Sequence, residues 1–170
     1  MRSIICLLAL LLAVVSSPAQ EKPGAVREVT VDRVALSNMG FFLLTLKAVE
    51  GVDRIEMIIG LLEGESIRMA QRKEKAPRPM THDIFKTFLD RNGWKVERVL
   101  VRDLVEGAFL ADLVFQKDGQ KQTYDARPSD SIALALRSGA KIFVADKVFE
   151  QQRREDEKAP QQRRQRPGIT

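Results

Sequence analysis

From Arg27 to Leu36, Val29, Val31 and Ala35 alternate with Glu28, Thr30 and Asp32. Period two predicts a half-buried strand. A turn at Ser37-Asn38-Met39-Gly40 leads into a strongly apolar second strand, Phe41 to Ala48, and Glu50 to Asp53 turns into a third, Arg54 to Ile59. After Gly60 the period lengthens. Leu62, Ser66, Met69 and Ala70 recur at helical spacing among Glu63, Glu65, Arg68 and Arg72, which predicts an amphipathic helix to about Gln71. The charged stretch from Arg72 to Pro79 reads as a loop. Thr81 is then positioned to cap a helix whose Ile84, Phe85, Phe88 and Leu89 share one face, and Asn92-Gly93 ends it.

Lys95 to Arg102 and Ala108 to Gln116 predict two more strands, and Lys117-Asp118-Gly119-Gln120 is a hairpin signal that returns the chain through Lys121 to Ala126. Ser129 to Arg137 reads as a buried helix with Gly139 at its end, and Ile142 to Ala145 as a short apolar strand. The order βββα-αββ-βαβ predicts a single α+β domain: a mixed, mostly antiparallel sheet with three main helices.

The two ends do not join this pattern. Arg2 is followed by an apolar run from Ile4 to Val15 and by Ser17-Pro18-Ala19. That is the arrangement of a secretory signal peptide cleaved after Ala19, and the run is short for a membrane span. The expected organisation is a signal peptide over 1–19, a linker over 20–26, the domain over 27–150 and a disordered basic tail over 151–170. It implies export to the periplasm or the extracellular space, with no stable membrane span after cleavage. Cleavage would also remove Cys6, the only cysteine, so that no thiol, disulfide or cysteine metal site is expected in the mature chain.

Charge adds little to this picture. The chain carries a formal +5, but the last twenty residues hold six Lys and Arg against three Asp and Glu. The body is close to neutral, so phosphate binding would need asymmetric placement of its cations.

Candidate chemistry concentrates at three helix starts. Asp125-Ala126-Arg127-Pro128-Ser129-Asp130 and Arg78-Pro79-Met80-Thr81-His82-Asp83 share a plan: Arg-Pro, a hydroxyl residue, an Asp, then a helix. Glu63 opens the third. Two readings stand side by side. In one, Thr81, Ser129 or Asp130 caps the free backbone amides and the arginines pair with neighbouring carboxylates. In the other, Asp125, Asp130 and Glu63 hold a divalent cation, Mg²⁺ or Mn²⁺, for hydrolysis. Asp125, Asp83, His82 and Arg127 are then the catalytic candidates, and Arg78, Arg127, Thr81 and Ser129 bind substrate. His82 is the only histidine, which excludes a multi-histidine metal site. Trp94, Tyr124 and the phenylalanines fall at strand or core positions, so a stacking platform for single strands has little support.

Ile59-Gly60-Leu61-Leu62-Glu63 with Ile67, then Arg78 to Asp83, then Asp125 to Arg137 resemble the bifunctional nuclease domain family. The resemblance spans about Thr30 to Glu150. It implies an α/β domain, often oligomeric, with nuclease activity on DNA and RNA. The positions that mark the family correspond to Glu63, Arg78, Thr81, His82, Asp83, Asp125, Arg127, Ser129 and Asp130. Three positions depart from the pattern: Glu56 stands where the family commonly has Pro, and Gly64 and Ser131 replace alanines. Nucleic acid and further copies of the chain are therefore the expected partners. The alternative is an exported domain that binds an anion or ligand, or serves as structure, without turnover.

Overall fold

A computed structural model describes residues 24–165, with side chains through Glu157. The expected signal peptide and most of the linker lie outside the described residues. Seven strands and four helices follow in the order β1 (Val26–Leu36), β2 (Phe42–Ala48), β3 (Arg54–Ile59), α1 (Leu61–Arg72), α2 (Thr81–Arg91), β4 (Lys95–Val105), β5 (Ala108–Lys117), β6 (Gln120–Ala126), α3 (Pro128–Ser138), β7 (Lys141–Ala145) and α4 (Asp146–Gln165). The strands form one sheet in the order β3-β2-β1-β7-β4-β5-β6. It is built from two antiparallel meanders, β1-β2-β3 and β4-β5-β6, joined by β7. That strand runs antiparallel to β1 and parallel to β4. The α+β expectation therefore holds.

Alternation explains the strands. In β3, Ile55, Met57 and Ile59 are buried while Arg54, Glu56 and Ile58 are exposed. The β5–β6 hairpin turns on Asp118 (φ 49°) and Gly119 (φ 79°), two consecutive left-handed residues, as a type I′ turn requires. Leu44, Leu46, Ile55, Val99, Val101 and Val144 form the centre of the core. Against them α1 lies on β1 and β2, α3 on β4, β5 and β7, and α1, α2 and α3 pack together.

Three expectations need correction. On α1 the buried residues are Gly64, Ser66 and Ile67, while Leu62 is exposed, so the inward face is rotated from the one predicted. On α2 only Leu89 is buried; Ile84, Phe85 and Phe88 face solvent, because α2 packs chiefly on α3 and only its inner edge reaches the core. From Gln151 to Gln165 the chain continues α4, in place of the expected disordered tail; residues 166–170 lie outside the described residues. Val148 and Phe149 anchor its first turns in the core. Beyond them, amides replace apolar contacts. Gln152 accepts from Glu56 N (3.0 Å) and donates to Glu56 O (2.6 Å), occupying the free edge of β3 as a strand would. Gln151 accepts from Leu104 N (3.3 Å) and donates to Asp103 Oδ1 (2.8 Å) on β4. Among the described residues no helix is long and apolar enough to cross a membrane.

Candidate functional site

The first turns of α1, α2 and α3 meet. Arg127 is the N-cap of α3, with extended backbone (φ −64°, ψ 137°) set by the following Pro128 at the first helical position. Its Nε donates to Asp130 Oδ2 (2.7 Å) on the next turn, and its Nη2 donates to Glu63 Oε1 (2.7 Å) on α1. Asp130 also meets His82 of α2: Nε2 to Oδ1 is 3.1 Å. The other ring nitrogen, Nδ1, lies 2.9 Å from Ser66 Oγ on α1, and Ser66 is fully buried. A chain of polar contacts thus runs from the core outward through Ser66–His82–Asp130–Arg127 and turns back to the half-buried Glu63. Along it the side chains of His82, Asp130 and Arg127 are 12%, 31% and 68% exposed.

This chain opens into a cleft of about 440 Å³, lined by Leu62, Glu63, Thr81, His82, Arg127 and Asp130 among others. Arg127 also borders a second hollow of about 490 Å³, between β3, the β4–β5 turn and α4. The cleft carries one guanidinium against two carboxylates, a partnership that raises the Arg127 pKa through its hydrogen bond to Asp130 first and through Glu63 after it.

The remaining candidates separate. Asp83 faces the other side of α2. Its Oδ1 accepts from Arg137 Nε (2.6 Å) and its Oδ2 from Met80 N (2.8 Å). Arg137 further donates to the carbonyls of Ser66 (3.1 Å) and Ala133 (3.0 Å). Partial burial pushes the Asp83 carboxyl up, but the Arg137 and Met80 hydrogen bonds and the Arg137 charge outweigh it and hold the group below its ordinary range. Asp125 is not in the cleft. It pairs with Arg102 (2.6 Å), which also holds Asp112 (2.8 Å), directly across the β5–β6 ladder. Arg78 is exposed, with no ion pair among the described residues. Thr81 lies on the cleft lip, and Ser129 is buried on the side of the second hollow.

The capping expectations are corrected as well. Neither Thr81 nor Ser129 nor Asp130 caps its helix. Met80 and Arg127 are the N-caps, neither with a side-chain cap bond; Asp83 reaches back to the Met80 amide and Ser131 Oγ to the Arg127 carbonyl (3.1 Å). Tyr124 lies on a strand, as expected, whereas Phe85 and Phe88 lie exposed on α2 and not in the core. Phe85, Phe88 and Tyr124 are exposed, in a row through Phe115 with ring centroids 5.6–6.4 Å apart.

The donor atoms, as arranged, do not fit a divalent cation. Both Asp130 oxygens and Glu63 Oε1 are engaged by His82 and Arg127. The remaining Glu63 Oε2 lies 2.3 Å from where a Cβ on Gly60 would stand. Among the described residues no three His, Cys, Asp or Glu side chains are grouped to hold a metal. Ser66 and Arg137 were not anticipated as site residues from the sequence, although a serine among Leu62, Met69 and Ala70 on the predicted inward face of α1 was a signal for the first.

The model of the bifunctional nuclease domain matches residues 44–157. An uncharacterized protein of Mycobacterium tuberculosis is 37% identical over 109 residues, which cover 64% of this chain and 65% of the relative. Bifunctional nuclease 1 of Oryza sativa subsp. japonica is 30% identical over 110 residues, 62% of this chain and 33% of the relative. Bifunctional nuclease 2 of Arabidopsis thaliana is 32% identical over 106 residues, 59% and 32%. The chain thus spans about two thirds of the mycobacterial relative and about a third of the plant ones. It belongs to the bifunctional nuclease domain family.

Proposed function

We propose that this member of the family is a nuclease that cleaves phosphodiester bonds of DNA or RNA in the cleft between the starts of α1, α2 and α3. The observation that carries the reading is the setting of Arg127. Its guanidinium is mostly exposed, stands at the cleft mouth, and is held only by side-chain carboxylates that a phosphate can replace. Guanidinium matches phosphate in fork geometry, and it stabilises charge that develops on phosphorus-bound oxygens. As a phosphodiester takes over Arg127, Glu63 or Asp130 is released beside it as a base for the attacking water. Arg78 does not line the cleft, but it is exposed and adjoins Pro79, which does, and would supply a second cation for the nucleic acid beyond the lip, with Thr81 a hydroxyl on it.

The nuclease names of the plant relatives support the reaction class. In the arrangement described, Asp130 and Glu63 are held by His82 and Arg127, so the proposed cleavage uses Arg127 and a released carboxylate in place of Mg²⁺ or Mn²⁺. The signal-like pattern of residues 1–19 supports export and action outside the cytoplasm. The exposed Ile84, Phe85 and Phe88 support self-association, which sedimentation would read. A structural role is favoured for Asp83, whose partner Arg137 is nearly buried.

The test is hydrolysis of labelled DNA and RNA oligonucleotides by purified mature protein, with Mg²⁺, with Mn²⁺ and with EDTA. Arg127→Ala should lower turnover about 100-fold or more, the scale of losing one donor to a developing oxyanion. Asp125→Ala, away from the cleft, should keep at least about half. Full activity in Arg127→Ala, after contaminating nucleases are excluded, would overturn the reading. Activity lost in EDTA and restored by Mn²⁺ would show that a cation joins the site after all.

A further inference from the structure

Both ring nitrogens of His82 are engaged, and the two partners differ in kind. A carboxylate only accepts, so the 3.1 Å contact to Asp130 requires the proton on Nε2. Nδ1 of the neutral ring is then the basic nitrogen, and it accepts from the Ser66 hydroxyl at 2.9 Å. Ser66 is fully buried between the helices, held from its carbonyl by Arg137. The nitrogen able to take up a proton therefore points away from the cleft, while the nitrogen nearer the cleft already carries one.

We infer that His82 is a positioning residue and not a proton carrier: it is a fixed Nε2–H donor that orients Asp130 toward Arg127, with its basic nitrogen sealed against Ser66. The inference rests on the cleft being the site of phosphodiester cleavage, but its first test does not. Asp130 fixes the tautomer, since it is the partner with only one hydrogen-bonding role. Ser66 keeps water and substrate from Nδ1.

Because His82 is the only histidine, one long-range ¹H–¹⁵N correlation spectrum of the labelled mature chain reads its tautomer directly. At about pH 8.5, above the ordinary imidazole range, the wild type should show a single tautomer protonated at Nε2. Ser66→Ala should move the Nδ1 resonance and leave Nε2 protonated; Asp130→Asn should give mixed tautomers. A wild-type ring protonated at Nδ1, or a mixture, overturns the inference whatever the activity. The second test is rescue. Glutamine carries an amide donor where Nε2 stands, and asparagine where Nδ1 stands. His82→Gln should keep about a third or more of wild-type hydrolysis, while His82→Asn and His82→Ala should lose about tenfold or more. Equal loss in all three variants, with an active wild type, makes His82 a proton carrier and overturns the inference. An inert wild type defeats the nuclease reading and leaves the spectrum to decide the tautomer.

Discussion

Gly64→Ala puts two opposing effects in one atom. Gly64 lies inside α1, where alanine is favoured over glycine by about 1 kcal/mol. A Cβ there would stand 2.3 Å from both Cγ and Cδ2 of Phe42 and 2.5 Å from its Cβ. Ordinary carbon contacts lie near 3.5–4.0 Å. Phe42 is 3% exposed on β2, paired with Ile59 of β3, so its ring has no solvent to move into. Overpacking of this kind costs about 1–3 kcal/mol, and three such contacts argue for the upper half of that range. The clash wins, and the variant should be destabilised by about 1–2 kcal/mol. Urea unfolding followed by circular dichroism should show a lower midpoint with an unchanged slope. Phe42→Leu removes the obstructing ring and should cost about 1–2 kcal/mol alone. Combined with Gly64→Ala it should cost less than the sum, with a coupling of about 1 kcal/mol or more. A neutral or stabilised Gly64→Ala, or no coupling, would refute the packing argument. Since α1 also carries Glu63 and Ser66, the same variant should perturb the His82 resonances.

Four further outcomes follow from the same contacts. Arg137→Ala removes a nearly buried guanidinium with three acceptors, and should cost about 2–3 kcal/mol by urea unfolding, as for hydrogen bonds to charged groups; a loss under about 0.5 kcal/mol would show that water replaces it freely. Asp83 and Asp103 both have folded pKa values below the ordinary 3.8, Asp103 chiefly through Lys147 and then Gln151. Depressed carboxyls contribute stability above their unfolded value and lose it as pH falls through the folded one, so thermal stability should drop on acidification below about pH 4, less steeply in Asp83→Asn. Gly60→Ala should leave stability within about 0.5 kcal/mol, because its Cβ meets only the flexible end of Glu63. It should free Arg127 of one carboxylate and tighten oligonucleotide binding several-fold at low salt; unchanged binding would mean that Glu63 does not compete with phosphate. Gln152→Ala should speed hydrogen exchange at the Glu56 amide about tenfold or more, whereas an unchanged rate would mean that the edge of β3 is protected by other means.

Local pattern was enough for the elements whose signal is local. Alternation in β3 and Asp118-Gly119 at the hairpin both led to the observed structure. It misjudged elements whose partners are distant. The apolar spacing of Ile84, Phe85 and Phe88 gives a helix but not what covers it. α4 has no core residue beyond Phe149 within its described side chains, so its composition reads as disorder; it is held by amide side chains on two strands, an attachment that hydrophobic periodicity does not register. At the site, Asp125 and Arg127 are two apart and would share a face if β6 continued. The chain leaves the strand at Arg127 instead. Asp125 stays on the sheet opposite Asp112, and Arg127 turns to the helices. Glu56, where the family commonly has proline, has a further consequence. Its backbone N–H is what Gln152 accepts from, and a proline would have none.

The position of the site also follows from the shape of the sheet. In strand order β3 and β6 are the two outer edges, six strand spacings apart, which in a flat sheet would be about 29 Å. Yet the residues that follow those edges, Glu63 after β3 and Arg127 after β6, are in salt-bridge contact at 2.7 Å. The sheet must therefore curl until its edges approach. α4 bridges the two halves of the sheet, with Gln152 on the edge strand β3 and Gln151 at the end of β4. The second hollow, between β3, the β4–β5 turn and α4, lies along that seam, and Arg127, which borders both it and the cleft, is one of the groups that bridge the edges. In the proposed reaction, a phosphate that draws Arg127 away from Glu63 would loosen that seam as it binds. In the proposed site the same contact would serve closure and recognition: Arg127 is mostly exposed, while the chain behind it, through Asp130 and His82 to Ser66, grows steadily more buried.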